Sequence, residues 1–428
     1  MVQEQISLLY VPRDLPSPST EEDWDYATVY TKTHTHSFHA YPAMMIPQVA
    51  RRLIRLYGKS GQTLLDPFCG SGTSLVEARL AGLNGYGIDL NPLAVLLARA
   101  KTTDLPESPL REALLEVIES YRASQRRGTV SVPRFFNVDY WFSPEVQVQL
   151  AHLRQVLFAI PDQAVRQFML VVLSHTVREC SYTRKGEFKL YRLPESQIRD
   201  FRTDVLATFI AKAEQNIQGM AEFNAEVDRR THVQVFQSDT RQRQPIPDAS
   251  VDLVVTSPPC GDSQTTVAYG QFSRLSLQWL GLPCEEAKSV DRQSLGGKVQ
   301  NNVQVPPYLS ESLEGTVGQI FQRDARRARQ VKAFYDDFAQ CLVEITRVCR
   351  PGAKARFVVG NRTVRGIRIP TDLILREMAG CFGWQLVEQF ERRIPNKRMP
   401  LQNSPSNVPG ERGETMTREH IVILEKTS

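Results

Sequence analysis

Two short stretches carry residues whose types and spacing could do chemistry. TSPPCGD, Thr256 to Asp262, follows the apolar run VDLVV and sets Ser257, Pro258, Pro259 and Cys260 in a row: a hydroxyl, two rigid prolines and a thiol. A thiol of ordinary acidity is only slightly ionised at neutral pH, and nearby cations raise the thiolate fraction that acts as a nucleophile. DPFCGSGT, Asp66 to Thr73, is the second. Gly70 and Gly72 permit positive φ and close backbone approach, while the helix that follows offers unpaired amides to a carboxylate or phosphate. Asp89 ends the next apolar run, where a carboxylate can accept both hydroxyls of a ribose. Leu75 stands where a GxGxxG loop needs its third glycine, which disfavours a dinucleotide. A tight turn with no ligand explains two glycines alone, but Asp66, Gly70, Gly72 and Asp89 together favour a ligand site.

These stretches need a sheet to position them. QTLLDPFCGSGTSLVEARLAGLNGYGIDLNPLA reads as a strand ending at Leu64 and Leu65, a glycine loop, a helix capped by Thr73 or Ser74 and ended by Gly82, and a strand from Gly85 to Leu90. That is one parallel βαβ unit. Val49, Leu53, Ile54 and Leu56 mark a helix before it. Helical periods then run through 104–230, for example PEVQVQLAHLRQVL, AVRQFMLVVLSHTV and TDVLATFIAKAEQNI. Strand patterns return at 232–239 and 251–259. A long helix with Val331, Phe334, Phe338, Leu342, Ile345 and Val348 on one stripe leads to the strand ARFVVGN. Late strands around WQLVEQFE and HIVILEK flank a loop rich in proline, asparagine and arginine. The expected fold is α/β, a Rossmann-like sheet with helices on both faces. The parts are 1–103 with the glycine loop, an inserted helical subdomain at 104–230, and the rest of the core at 231–428.

Composition narrows the classes. The 428 residues carry a formal net charge of +5, with arginine and lysine gathered around 51–55, 122–127, 323–332 and 392–398. Such clusters suit a polyanionic partner, although solvated helix faces produce them too. Seven cysteines with no CxxC pair argue against a disulfide framework and a structural zinc site, so no metal is expected. There is no signal-peptide pattern and no apolar run of eighteen residues, which reads as a soluble cytoplasmic protein that does not engage a membrane.

DPFCGSGTSLVEA resembles the S-adenosylmethionine motif of DNA amino-methyltransferases, and TSPPC resembles TSPPY, their catalytic motif in the N4-cytosine type. HAYPAMMIPQVARRLI looks like the helix that precedes the glycine motif. The resemblance covers 36–103 and 231–428. It implies that Asp66 and Phe68 frame the methionine moiety, that Gly70, Gly72 and Thr73 form its loop, that Asp89 binds the ribose, and that Asp239 lies beside the adenine. It implies a site-specific methyltransferase acting on a cytosine flipped from double-stranded DNA. A monomer, and a cognate restriction endonuclease within a restriction-modification system, are the further expectations. The glycine motif precedes TSPPC, opposite to the order in many N4-cytosine enzymes, so the chain looks like a circular rearrangement of that pattern.

Cys260 departs from the pattern. In the family Ser257 and the Pro258 carbonyl would accept hydrogen bonds from the cytosine amino group, and an aromatic at 260 would stack on the base. Pro-Cys is also the nucleophile signature of C5-cytosine methyltransferases, whose thiolate adds to C6. The reading preferred on this ground is C5 methylation through Cys260, with Glu179 or Asp262 as the acid facing N3. N4 methylation with Cys260 as a small replacement is the alternative, followed by loss of activity. An RNA guanine-N2 methyltransferase and a non-catalytic nucleic-acid-binding protein complete the set. For reading DNA, 261–320 is the candidate segment, together with SYTRKGEFKLYRLPE in the insert and RRIPNKRMPLQNSPSN near the end.

Overall fold

The computed structural model describes residues 24–262, 266–298, 309–394, 402–403, 413–414 and 416–427. Its sheet contains β1 (Thr63–Asp66), β2 (Asn84–Asp89), β3 (Val233–Gln237), β4 (Val251–Thr256), β5 (Cys349–Gly360), β6 (Trp384–Arg393) and β7 (Arg418–Lys426), in the order β3-β2-β1-β4-β5-β7-β6. The first five pair in parallel. β7 runs antiparallel between β5 and β6. From β1 the chain steps outward to β2 and β3, and from β4 it steps the other way to β5. Strand order therefore reverses between β1 and β4, the place where open α/β sheets leave a ligand crevice at the carboxyl ends of their strands. Both chemistry-bearing stretches begin there, DPFCGSGT leaving β1 and SPPCGD leaving β4.

The inner strands are apolar on consecutive residues and bury both faces, as parallel sheets must. Leu64, Leu253, Val255, Val358, Ile421 and Ile423 face a core with α1 (Pro47–Tyr57) and α2 (Thr73–Leu80). Leu65, Val254, Phe357, Val359, Val422 and Leu424 face the opposite core. α3 (Pro92–Thr102) follows β2, with Pro92 in its first turn and the Asn91 side chain accepting from Leu93 N. Between α3 and β3 stand α4 (Glu107–Arg127), α5 (Pro144–Phe158), α6 (Gln163–Glu179) and α7 (Val205–Glu226). After the loop that leaves β4 come α8 (Tyr269–Trp279), α9 (Cys284–Gln293), α10 (Glu311–Arg323) and α11 (Ala325–Val348); α12 (Thr371–Gly380) precedes β6. The expected stripe of α11 is buried in full from Val331 to Val348.

One expectation needs correction, and two observations bear on the domain boundaries. Neither Thr73 nor Ser74 caps α2: Gly72 is the N-cap at φ 84°, and the Ser74 hydroxyl donates to Asp66 instead. The helices of 107–226 do not enclose a core of their own, since Phe168, Val172, Phe209 and Phe223 join one cluster with Leu93 and Leu97 of α3 and Phe272, Leu275 and Trp279 of α8. The candidate reading segment 261–320 is thus partly core: α8 is a buried helix, its polar letters notwithstanding, while 263–265 and 299–308 lie outside the described residues.

Candidate active site

At the reversal point an open cleft of about 910 Å³ is bounded by the β1 loop, the end of β2, Ser238 to Thr240 after β3, and Ser257 and Pro259 after β4. The residues expected to hold a cofactor meet on it: Asp66, Phe68, Gly70, Thr73, Asp89 and Asp239 all line it. Gly72 sits behind, where a Cβ would come 2.9 Å from Ala98 Cα of α3, so only glycine lets the loop pack that closely.

Each carboxylate has a distinct setting. Asp66 Oδ1 accepts from Thr256 Oγ1 at 2.6 Å and from Phe68 N at 3.1 Å, and Oδ2 accepts from Ser74 Oγ. Its oxygens tie β1, β4 and α2 together, so Asp66 fastens the cleft walls. Asp89 accepts from Gly70 N at 2.9 Å and Asn91 N at 2.8 Å, one bond to each oxygen, which leaves a lone pair on each for a ligand. Burial pushes both carboxyls up to about 6, against the pull of those hydrogen bonds. Asp239 is held by the Arg241 guanidinium at 2.6 Å, and Arg241 also reaches Asp337 at 2.8 Å. Phe68 is half-buried and stacks on Phe338 with ring centres 6.2 Å apart.

Several lining residues escaped the sequence reading by type. Tyr41 stacks on Tyr269 at 5.9 Å, and Asn91 Nδ2 donates to the Tyr41 hydroxyl at 3.0 Å and to Ser273 Oγ at 2.7 Å. The Ser71 hydroxyl is buried on the cleft with no partner among the described residues, beside the N-terminus of α2, which has no side-chain cap. An unpaired buried hydroxyl and free helix amides suit a carboxylate, and Asp89 suits a ribose. These features fit S-adenosylmethionine, which carries both groups. Tyr41 followed by Pro42 was the available signal; nothing in the α8 periodicity singled out Tyr269.

The loop after β4 is fixed from below. The Ser257 hydroxyl donates to the Val358 carbonyl of β5 at 3.0 Å, so its oxygen lone pairs remain for another donor. Pro258 is buried; Pro259 and Cys260 are half-buried. Gly261 has φ 142°, and the Arg362 guanidinium occupies the space a Cβ would need. Arg362 also faces the buried Asp262 at 3.5 Å. Asp262 is therefore occupied by an arginine. Glu179 lies elsewhere, at the end of α6 beside Lys185 and on a different cleft.

The basic segments also differ from expectation. Lys185 Nζ donates to the Arg178 and Glu179 carbonyls, closing the end of α6, and Arg192 lies over Tyr140 at 4.5 Å. Arg392 is buried, donating to the Trp24 carbonyl and pairing with Glu419, so it anchors β6 and is not available to phosphate. Lys397 and Arg398 lie outside the described residues.

Comparison with known proteins then fixes the class. A DNA methylase model of the N6/N4 type matches residues 10–99. Over 417 residues the chain is 38% identical to the type II methyltransferase M.MvaI of Kocuria varians, covering 92% of each. The chain belongs to the type II DNA methyltransferases. A more distant member, M.BsoBI of Geobacillus stearothermophilus, is 22% identical over 91% of this chain and 85% of its own length. A tRNA (guanine(10)-N2)-dimethyltransferase of Methanothermobacter thermautotrophicus is 46% identical over 52 residues only, 12% of this chain. The methyltransferase acts on DNA with S-adenosylmethionine as its cofactor. No helix among its described residues is long and apolar enough to cross a membrane.

Proposed function

We propose that this methyltransferase modifies the exocyclic N4 amine of a cytosine in double-stranded DNA, as the modification arm of a restriction-modification system. The observation that carries the reading is Ser257: its proton is committed to Val358 O, so its oxygen is an acceptor for an incoming N–H. S-adenosylmethionine, when bound, supplies an electrophilic methyl group. Asp89 would hold the ribose, the Ser71 hydroxyl and the α2 amides the carboxylate, Phe68 would frame the methionine moiety, and Asp239 would lie beside the base of the cofactor. Ser257 Oγ and the Pro258 carbonyl would each accept from the target amine, turning its lone pair toward the methyl group. The segment 261–320, the basic loop at 181–195 and the helices of 104–230 would meet the duplex.

The C5 reading loses ground. The family match is to enzymes of the N6/N4 class, and the acids proposed to serve it are spoken for or distant. Cys260 is then a small residue beside the base. The test is mass spectrometry of digested DNA together with trapping on DNA containing 5-fluorocytosine. The expected product is N4-methylcytosine, with no covalent complex and with Cys260→Ser still active. Cys260→Tyr should raise activity by restoring a stack worth about 1 to 3 kcal/mol. A covalent adduct lost in Cys260→Ser, with 5-methylcytosine as product, would refute the proposal.

A further inference from the structure

A second cleft lies among the inserted helices, away from the methyl-donor cleft. His175 and Glu179 of α6 form one wall, Thr208 and Lys212 of α7 the other, and Lys185 and Arg202 stand at the mouth. Tyr41, His39 and Phe272 lie between the two clefts: His39 is 6.0 Å from His175 and 6.2 Å from Phe272, and Tyr41 is 5.9 Å from Phe272.

Its charge does not balance. Lys212 is only 8% exposed, yet its Nζ donates to the Ser37 carbonyl at 2.8 Å and to Gln215 Oε1 at 2.7 Å, with no carboxylate in ion-pairing reach among the described residues. Buried ammonium groups are ordinarily paired, because desolvation is otherwise uncompensated. Lys101 behind it is fully buried and its Nζ has no hydrogen-bond partner among the described residues. Glu179 is the one carboxylate lining this cleft; it is 42% exposed and 3.8 Å from Lys185. The surplus positive charge is felt: burial and then Lys32 lower Lys212 to about 8, and burial followed by Lys212, Lys185 and Arg178 lowers His175 to about 3. At neutral pH His175 is therefore a neutral ring able to donate one hydrogen bond and accept another.

We propose that this cleft binds a phosphate group, with Lys212 at its floor, Lys185 and Arg202 at its mouth, and the His175 ring and the Thr208 hydroxyl as neutral partners. Three cations from separate elements line the cleft with one carboxylate among its described lining residues. Lys185 Nζ donates to the Arg178 and Glu179 carbonyls and Arg202 Nη1 to the Arg199 and Phe201 carbonyls, so each offers its remaining N–H groups, which suits an oxyanion with several oxygens better than a single carboxylate. The site is independent of which base atom is methylated, so it stands or falls apart from the N4 assignment.

The experiment titrates inorganic phosphate into the full chain at low ionic strength by calorimetry, with the wild type, Lys212→Met and the rim variant Lys185→Ser/Arg202→Ser. Lys212→Met removes the charge at similar volume but leaves the Ser37 carbonyl and Gln215 Oε1 without their donor, so thermal unfolding and unchanged S-adenosylmethionine affinity check that the variant is folded, and the rim variant tests the site independently. Saturable binding is expected in the wild type, weakened about tenfold or more in each variant, since each loses a charge-assisted hydrogen bond. S-adenosylmethionine affinity should not change. Displacement of phosphate by a short DNA duplex would assign the site to the DNA backbone, and simultaneous binding would assign it to a free phosphate or small phosphorylated ligand; both support the site. Absence of saturable phosphate binding in the wild type, or equal affinity in all three proteins, overturns it.

Discussion

Asp89 makes cofactor affinity depend on pH in a way that can be worked out beforehand. Its carboxyl is pushed up to about 6 by burial, although Gly70 N and Asn91 N both donate to it. If the ribose hydroxyls and the cationic cofactor need the ionised form, apparent affinity follows the ionised fraction. About nine-tenths is ionised at pH 7 and about one-tenth at pH 5, so the dissociation constant should rise roughly tenfold, or about 1.4 kcal/mol. Asp66 should add no second unit of slope, because its oxygens are taken by Thr256, Ser74 and Phe68. The sign for stability runs the other way. A carboxyl raised above its unfolded value favours the fold at low pH and loses that contribution as pH rises through about 6. Ligand binding offsets the loss, so the thermal shift produced by the cofactor should grow from pH 5 to pH 7. Calorimetric titration across that range would read the slope, and Asp89→Ala should bind weakly with a flat profile. A wild-type dissociation constant that does not change between pH 7 and pH 5, or a variant with undiminished affinity, would refute the reasoning.

Gly261→Ala should lower kcat about ten- to a hundredfold, since it strains a φ of 142° by about 1 to 3 kcal/mol and displaces Arg362, while cofactor affinity measured by calorimetry stays the same. Combining it with Arg362→Ala should recover part of the rate by freeing that space. Glu77→Gln should destabilise the fold by about 3 to 5 kcal/mol in thermal unfolding, because buried Glu77 accepts from Arg51 at 2.7 Å and pairs with His36 at 2.9 Å. The 5-fluorocytosine trap described above decides between amine and ring-carbon chemistry.

The sheet was legible because its inner strands are short, nearly continuous apolar runs and its loops carry glycine and proline. Residues 62–94 could be read as strand, loop, helix and strand to within a residue or two. The meeting of Asp66, Asp89, Asp239 and Ser257 on one cleft followed from placing them at strand ends. What the letters hid was the use of side chains. Arg392 anchors a strand although it sits in a run that looks built for phosphate, and Lys185 spends two of its three N–H bonds on closing a helix. α8 hid for a related reason: Ser273, Ser276 and Gln278 dilute its apolar pattern, yet all are buried because they bond or pack within a core assembled from three distant segments. Such a core has no local period to detect. Cys260 is legible only in part, since a two-residue likeness to another enzyme class says nothing about whether an acid and a base stand around it.

The continuity of α8 with the inserted helices bears on how such an enzyme could acquire a new target. α8 begins a few residues beyond the loop that carries Ser257, and its Phe272 and Trp279 are packed among residues of 104–230. A recognition region grafted from a relative as a self-contained cassette would tear this seam and leave the loop without its footing. If the inserted helices read the target, as proposed, divergence in sequence preference is confined to their outer turns and the connections between them. Lineages that exchange recognition regions wholesale would need a different architecture, one in which the reader and the chemistry do not share an interior.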